Sequence, residues 1–302
     1  MSTVTQLSAE LALQVRNNTG ESPVWHAGEQ ALYWVDIPEK RLYRYQLQTG
    51  TQHSWSAPQM LGCISLTNQP GLLLAGAESG FFKLDISRED VLGFELIAEA
   101  DHALAGMRFN DGRCDRAGRF MSGSMFIDML AGRDVGHIYQ LQHDGVLRKI
   151  LGGFVTPNGM AFSPDGRRMY LTDSHKTVRK SWVYDYDSES GLPSNPRPFI
   201  DMAGFSGRPD GAAMDTDGCY WICGIDAGLV HRYTPQGVLD MTISVPVMKP
   251  SMCAFGGADL HTLYMTSISP TVVQDQRPMD GGLFAIHLPD VQGFPEPVCT
   301  TF

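Results

Sequence analysis

Basic residues are scarce in this chain, 23 lysines and arginines against 33 aspartates and glutamates, and nowhere do they gather into a run. The net charge of −10 argues against nucleic acid and anionic membrane surfaces as partners. No apolar stretch approaches the roughly 20 residues that cross a bilayer. The amino terminus, MSTVTQLSAELALQVRNN, lacks a basic segment followed by an apolar core, which predicts no signal peptide and a cytoplasmic protein. The six cysteines (Cys63, Cys114, Cys219, Cys223, Cys253, Cys299) show no metal-knuckle spacing; Cys219 and Cys223 flank Trp221 in what reads as a strand. Buried, reduced thiols are therefore expected rather than a disulfide framework. Familiar catalytic templates are missing too. There is no G-x-S-x-G elbow and no phosphate-cradling glycine loop. The nine histidines show no H-x-x-x-H spacing and read as surface or satisfied core residues, with His175, at a strand end after Thr172-Asp173-Ser174, the one to watch. Helical periodicity is nearly absent; only Ser8 to Arg16 has a spacing compatible with a helix.

What the chain does contain is a repeat. A turn with Asp, Asn or Gly, a short apolar strand, another turn and a second strand recur about six times, at a period of roughly 45–50 residues, the range of four-stranded propeller blades. The copies include SPVWHAGEQALYWVDIPEKRLYRYQLQTG, FSPDGRRMYLTDS with SWVYDYDSESG, and MDTDGCYWICGIDAGLVHRYTPQGV. Their strands (Leu32 to Val35, Met169 to Thr172, Leu263 to Thr266) are rich in aromatic and β-branched residues and bounded by turn formers. The 32 glycines and 18 prolines are spread evenly and mark no linker. These features predict an all-β fold, a six-bladed β-propeller forming one domain over residues 1–302. A strand near Leu11 to Val15 is expected to complete the blade made by the last residues, closing the ring and removing its exposed edge.

Three short motifs stand out against this repeat: Glu21 in GESPVW, Asn158 in TPNGMAFSPDG and Asp210 in RPDGAAMDTDG. Each precedes a copy of the repeat at the same phase, and Asn110 in RFNDG is a fourth member of the set. Taken singly, Asn-Gly and Asp-Gly are ordinary turn dipeptides. In a closed ring, equivalent positions face one mouth, and two carboxylates with an amide oxygen there would suit a hard cation.

The ordered set GESPVW, RFNDG, PNG and PDG resembles the sugar-lactonase family of six-bladed propellers, which includes gluconolactonase and regucalcin (senescence marker protein 30). The resemblance covers nearly the whole chain from about Gly20. It implies a divalent metal held by Glu21, Asn158 and Asp210, and substrate contacts from Arg108 and Asn110. Some members carry a further acidic residue soon after a G-[ST]-M segment; in GSMFIDML the candidate is Asp128, among apolar neighbours and at a different spacing.

The expected reaction is metal-dependent hydrolysis of a sugar lactone, such as gluconolactone or a pentonolactone, to the aldonic acid. The cation polarises the carbonyl, Asp210 serves as general base toward water, and Arg108 and Asn110 offer donors to sugar hydroxyls or the developing oxyanion. Calcium is the first expectation for the metal, with magnesium, manganese or zinc as alternatives, because the ligands are all oxygen. A monomer or weak homo-oligomer is expected. Two other readings stay open: the same scaffold acting on a non-sugar lactone or organophosphate, and a calcium-binding propeller that catalyses nothing.

Overall fold

A computed structural model describes residues 4–269 and 278–301. Its strands form six antiparallel meanders arranged as the blades of a propeller, five sheets of four strands and one of five. The innermost strands are Gly20–His26, Leu61–Leu66, Met107–Cys114, Pro157–Phe162, Arg208–Met214 and Pro250–Gly256. Each packs against the inner strands of both neighbouring blades, so the ring is continuous. The only helical element among the described residues is a single 3₁₀ turn, Met129–Ala131.

Closure uses both ends of the chain, as the sequence predicts. Glu10–Leu13 pairs antiparallel with Leu283–His287 and becomes the outer strand of the last blade. The helical spacing from Ser8 to Arg16 is thus overridden, because an extended chain here satisfies a sheet edge that a helix would leave open. A second N-terminal strand, Thr5–Ser8, has no counterpart in the sequence reading. It lies parallel to Leu239–Ser244 outside the fifth blade, held also by a 2.7 Å hydrogen bond between the Ser8 and Ser244 hydroxyls.

The core lies within and between blades. Second strands such as Ala31–Asp36 and Tyr220–Ile225 are buried over their whole length, which is why they read as apolar runs rather than alternating ones. Trp34 stacks on Tyr43 at 5.1 Å, and Trp221 meets Phe255 edge-on across the fifth and sixth blades. All six cysteines are free and buried, as expected.

Carboxylates fasten the entry to individual inner strands. Asp36 accepts from the backbone N–H groups of Asn18 (2.8 Å) and Thr19 (3.0 Å), just ahead of Glu21. Asp173 does the same for Val155 (2.7 Å) and Thr156 (3.2 Å), just ahead of Asn158. At the far end of the inner strands, the C-terminal segment crosses the ring. Gly293 bridges to Asp215, Glu296 pairs with Arg113 at 3.2 Å, and the Cys299 N–H donates to the Leu66 carbonyl at 2.7 Å.

Candidate functional site

Every inner strand breaks register near its start. The breaks fall between Glu21 and Val24, Leu61 and Cys63, Phe109 and Gly112, Asn158 and Ala161, Pro209 and Ala212, and Pro250 and Cys253. A bulge bends the strand and re-aims its side chains. Six bulges at one phase put Glu21, Gly62, Asn110, Asn158, Asp210 and Ser251 at equivalent places around the ring. The motifs that read as turns ahead of the strands are therefore bulges inside them. Their glycines serve close packing: Gly159 has φ +61°, and a Cβ there would strike the Tyr220 hydroxyl, while a Cβ on Gly211 would enter the Met252 side chain.

A directional chain of hydrogen bonds ties three blades together at this level. The Arg108 guanidinium donates to the Asn110 Oδ1 at 2.8 Å and to the Phe109 carbonyl at 2.7 Å. Asn110 Nδ2 donates to Asn158 Oδ1 at 3.0 Å and to the Pro157 carbonyl at 3.1 Å. Asn158 Nδ2 donates to the Ser174 hydroxyl at 2.7 Å, and that hydroxyl donates in turn to the Pro209 carbonyl, next to Asp210. Ser251 makes a similar link on the other side, donating to the Gly20 carbonyl beside Glu21.

The acids of the ring are buried and feel one another. Glu21 accepts from the Ser22 N–H at 3.1 Å, yet burial first, and then the charges of Asp210 and Asp111, push its carboxyl well above the usual range. Asp210 is pushed up to about 8, chiefly by burial, with Asp111 and Asp226 adding to it and Arg208 opposing. Burial raises Asp111 to about 6; its Oδ2 accepts from the Met160 N–H at 2.8 Å while its Oδ1 has no partner. Arg108 is the positive charge that answers Glu21 and Asp210, and desolvation lowers it to about 10. Carboxyls raised in this way by burial and neighbouring like charge would be stabilised in their ionised form by added positive charge.

Among the described residues, no three histidines, cysteines, aspartates or glutamates stand together at metal-ligating spacing. The donor set is instead two carboxylates and one amide oxygen, a chemistry that suits a hard divalent cation completing its shell with water or substrate. Asn158 Oδ1 gives one lone pair to Asn110 and keeps the other. The residues fit the group.

Asp128 is placed differently. It is exposed and caps the 3₁₀ turn, its Oδ1 accepting from the Leu130 N–H at 3.1 Å, so it stands on a rim loop rather than in the buried ring. His175 is a satisfied structural residue. Its Nε2 bonds the Met129 carbonyl at 3.0 Å and its Nδ1 the Thr177 hydroxyl at 2.8 Å, joining that rim loop to the fourth blade. Asp111 and Ser174 have no role that the sequence alone predicts. Asp111 lay in the quoted RFNDG motif and shares its repeat phase with Ser22 and Gly159; Ser174 carried no signal beyond its place at a strand end.

Comparison with known proteins agrees with the fold. Residues 19–269 match the family described as the SMP-30/Gluconolactonase/LRE-like region. The chain is 37% identical to a 6-deoxy-6-sulfogluconolactonase of Pseudomonas putida, over 92% of this chain and 94% of that one. It is 35% identical to an L-arabinolactonase of Azospirillum brasilense, over 91% and 90%. Its backbone superposes on the crystal structure of a calcium-binding protein, regucalcin, from Agrobacterium tumefaciens with a TM-score of 0.90, at 26% identity and 99% coverage of both chains. By its sequence and its six bladed sheets alike, the chain belongs to the SMP-30/gluconolactonase/LRE-like family.

Proposed function

We propose that this protein hydrolyses a sugar lactone to the aldonic acid, using a divalent cation held by Glu21, Asn158 and Asp210. The reading is supported by two buried carboxylates, Glu21 and Asp210, whose charges act on each other and on Arg108, and by the Asn158 amide held in the neighbouring blade through Asn110, the residue that also accepts from Arg108. The lactonase names of the similar proteins from Pseudomonas putida and Azospirillum brasilense support the substrate class. Calcium is the first candidate for the cation, in line with the calcium-binding regucalcin structure. The whole chain is proposed to act as one cytoplasmic propeller domain.

When bound, the cation supplies Lewis-acid polarisation of the lactone carbonyl. The chain's own residues supply the rest. Asp210 takes the proton of the attacking water through a carboxylate oxygen; beside the cation it is a weak base, so most of the activation of the water falls to the cation. Arg108 directs donors at the oxygen that gains charge as the carbonyl becomes tetrahedral. Asn110 keeps the guanidinium aimed, since its Oδ1 accepts from Arg108. Asp128 is proposed to meet the sugar from the rim loop.

The direct test is acid release from a panel of aldonolactones by chelator-treated protein, with and without added calcium, magnesium, manganese or zinc. Cation-restored hydrolysis supports the reading and ranks the substrates. Cation binding without hydrolysis of any sugar lactone moves the assignment to a non-sugar ester or to a non-catalytic propeller.

A further inference from the structure

We infer that Ser174 is a positioning residue for the cation site. It lies in no motif, yet its hydroxyl orients the Asn158 amide and fixes the distance between that amide and the strand carrying Asp210. This inference rests on the proposed cation site.

Hydrogen-bond polarity fixes the orientation of the amide. A guanidinium can only donate and a backbone carbonyl can only accept. Arg108 therefore presents donors to Asn110, so the atom it meets is Oδ1, and Nδ2 is left to face Asn158. At the other end the Pro209 carbonyl obliges the Ser174 hydroxyl to donate to it. The Ser174 oxygen is then an acceptor, and the Asn158 atom 2.7 Å away must be Nδ2. Both ends impose the same amide orientation, which is the one that offers Oδ1 to the ring. An asparagine amide turned over would present N–H donors to a cation, which repels them.

Ser174 also joins the two blades that carry these ligands, on the other side of Asn158 from the bond that the Tyr220 hydroxyl donates to the Gly159 carbonyl. Asn158 belongs to the strand Pro157–Phe162 and Asp210 to Arg208–Met214. A single buried hydroxyl, 3% exposed, touches the side chain of one ligand and the backbone next to the other. It is itself held by Asp173, whose carboxylate grips the N–H groups of Val155, Thr156 and His175 on either side of it. Partners of metal ligands that act in this way typically contribute about 10- to 100-fold in metal affinity.

The experiment compares divalent-cation titrations, followed by calorimetry, of the full-length protein and three variants: Ser174→Ala, Ser174→Thr and Ser163→Ala. Ser163 is a comparable buried hydroxyl at the opposite end of the fourth blade, donating to Asp165 at 2.6 Å and accepting from the Arg168 N–H at 3.0 Å. The expected result is a cation dissociation constant weakened about 10- to 100-fold in Ser174→Ala. Ser174→Thr, which keeps the hydroxyl, should recover most of that loss, and Ser163→Ala should bind as wild type even where its melting temperature falls. Wild-type affinity in a folded Ser174→Ala protein overturns the inference and leaves the cation site standing. Equal weakening in Ser163→Ala also overturns it, since the effect would then be general destabilisation. Absence of cation binding by the wild-type protein overturns both the inference and the site on which it rests.

Discussion

The two ends of the inner strands are built from the same blades and treat charge in opposite ways. At the far end, Arg113 pairs with Glu296, Arg116 lies 4.1 Å over the Phe294 ring, and the C-terminal segment covers the ring. Close by, Asp215 accepts from Arg232, the Trp221 indole and the Cys219 N–H, and Asp115 from Arg119 and the Tyr186 hydroxyl. Each buried acid there has a cation or several donors. At the bulged end, Asp36 and Asp173 are likewise satisfied by backbone N–H groups, but Glu21, Asp111 and Asp210 are buried with few donors and pushed toward their neutral forms. A fold optimised only for stability would treat both ends like the first, because an unpaired buried charge is costly. The contrast separates scaffold from site without reference to any motif.

The largest expected effect comes from the under-satisfied end. Asp210→Asn should keep the fold and reduce lactone turnover by about a hundredfold or more, as loss of an acid–base group does. Turnover within a few-fold of wild type in steady-state assays would remove Asp210 as the base.

The titration of the same residue gives a second expectation. With its carboxyl near 8, Asp210 carries a proton below that pH which a cation must displace, so cation affinity should rise up to about tenfold per pH unit from pH 6 to 8, then flatten. The sign for stability is opposite. A carboxyl raised in the folded state contributes stability that is complete below its ordinary value and lost as pH rises through about 8. Melting temperatures in chelator should therefore fall between pH 4 and 8, and less so for Asp210→Asn. Superimposable pH profiles for the two proteins would count against the perturbed carboxyl.

The satisfied end should respond in stability alone. Arg113→Ala leaves Glu296, 19% exposed, without its cation and is expected to cost about 2 kcal/mol by denaturant unfolding. Its cation affinity should match wild type; a loss of affinity would show that the two ends are coupled. Smallest is Asp128→Ala on the exposed rim turn. It should cost about 0.5 kcal/mol or less in stability, as a weak cap does, and raise KM a few-fold with kcat unchanged if Asp128 meets the substrate; an unchanged KM removes it from the site.

Much of the architecture was legible because repetition is a property of sequence. The recurring strand-turn pattern predicts six blades, and the need to close a ring predicts that an N-terminal strand finishes the last one, which Glu10–Leu13 does. Thr5–Ser8 was not legible: its parallel partner, Leu239–Ser244, is more than 230 residues away, and its own residues are mostly exposed and carry no apolar period. The site was legible in identity but not in construction. Glu21, Asn158 and Asp210 stand out by their repeat phase, whereas the bulges that present them look like turns in sequence, because Asn158 and Asp210 are followed by Gly and Glu21 by Ser-Pro, as turn residues are. Asp111 and Ser174 carry no signal in sequence because a carboxylate after Asn and a serine at a strand end are common.

By itself the sequence determined the recurring strands of the blades and which residues share a phase, since apolar spacing and turn chemistry act over a few residues. Tertiary structure alone decided what the shared phase means. Whether three blades bring their oxygens together, which way the Asn158 amide faces, and how strongly Glu21 and Asp210 repel depend on distances across the ring. Those distances are set by the packing of inner strands, and electrostatic interaction in a buried site depends steeply on separation and on the exclusion of water.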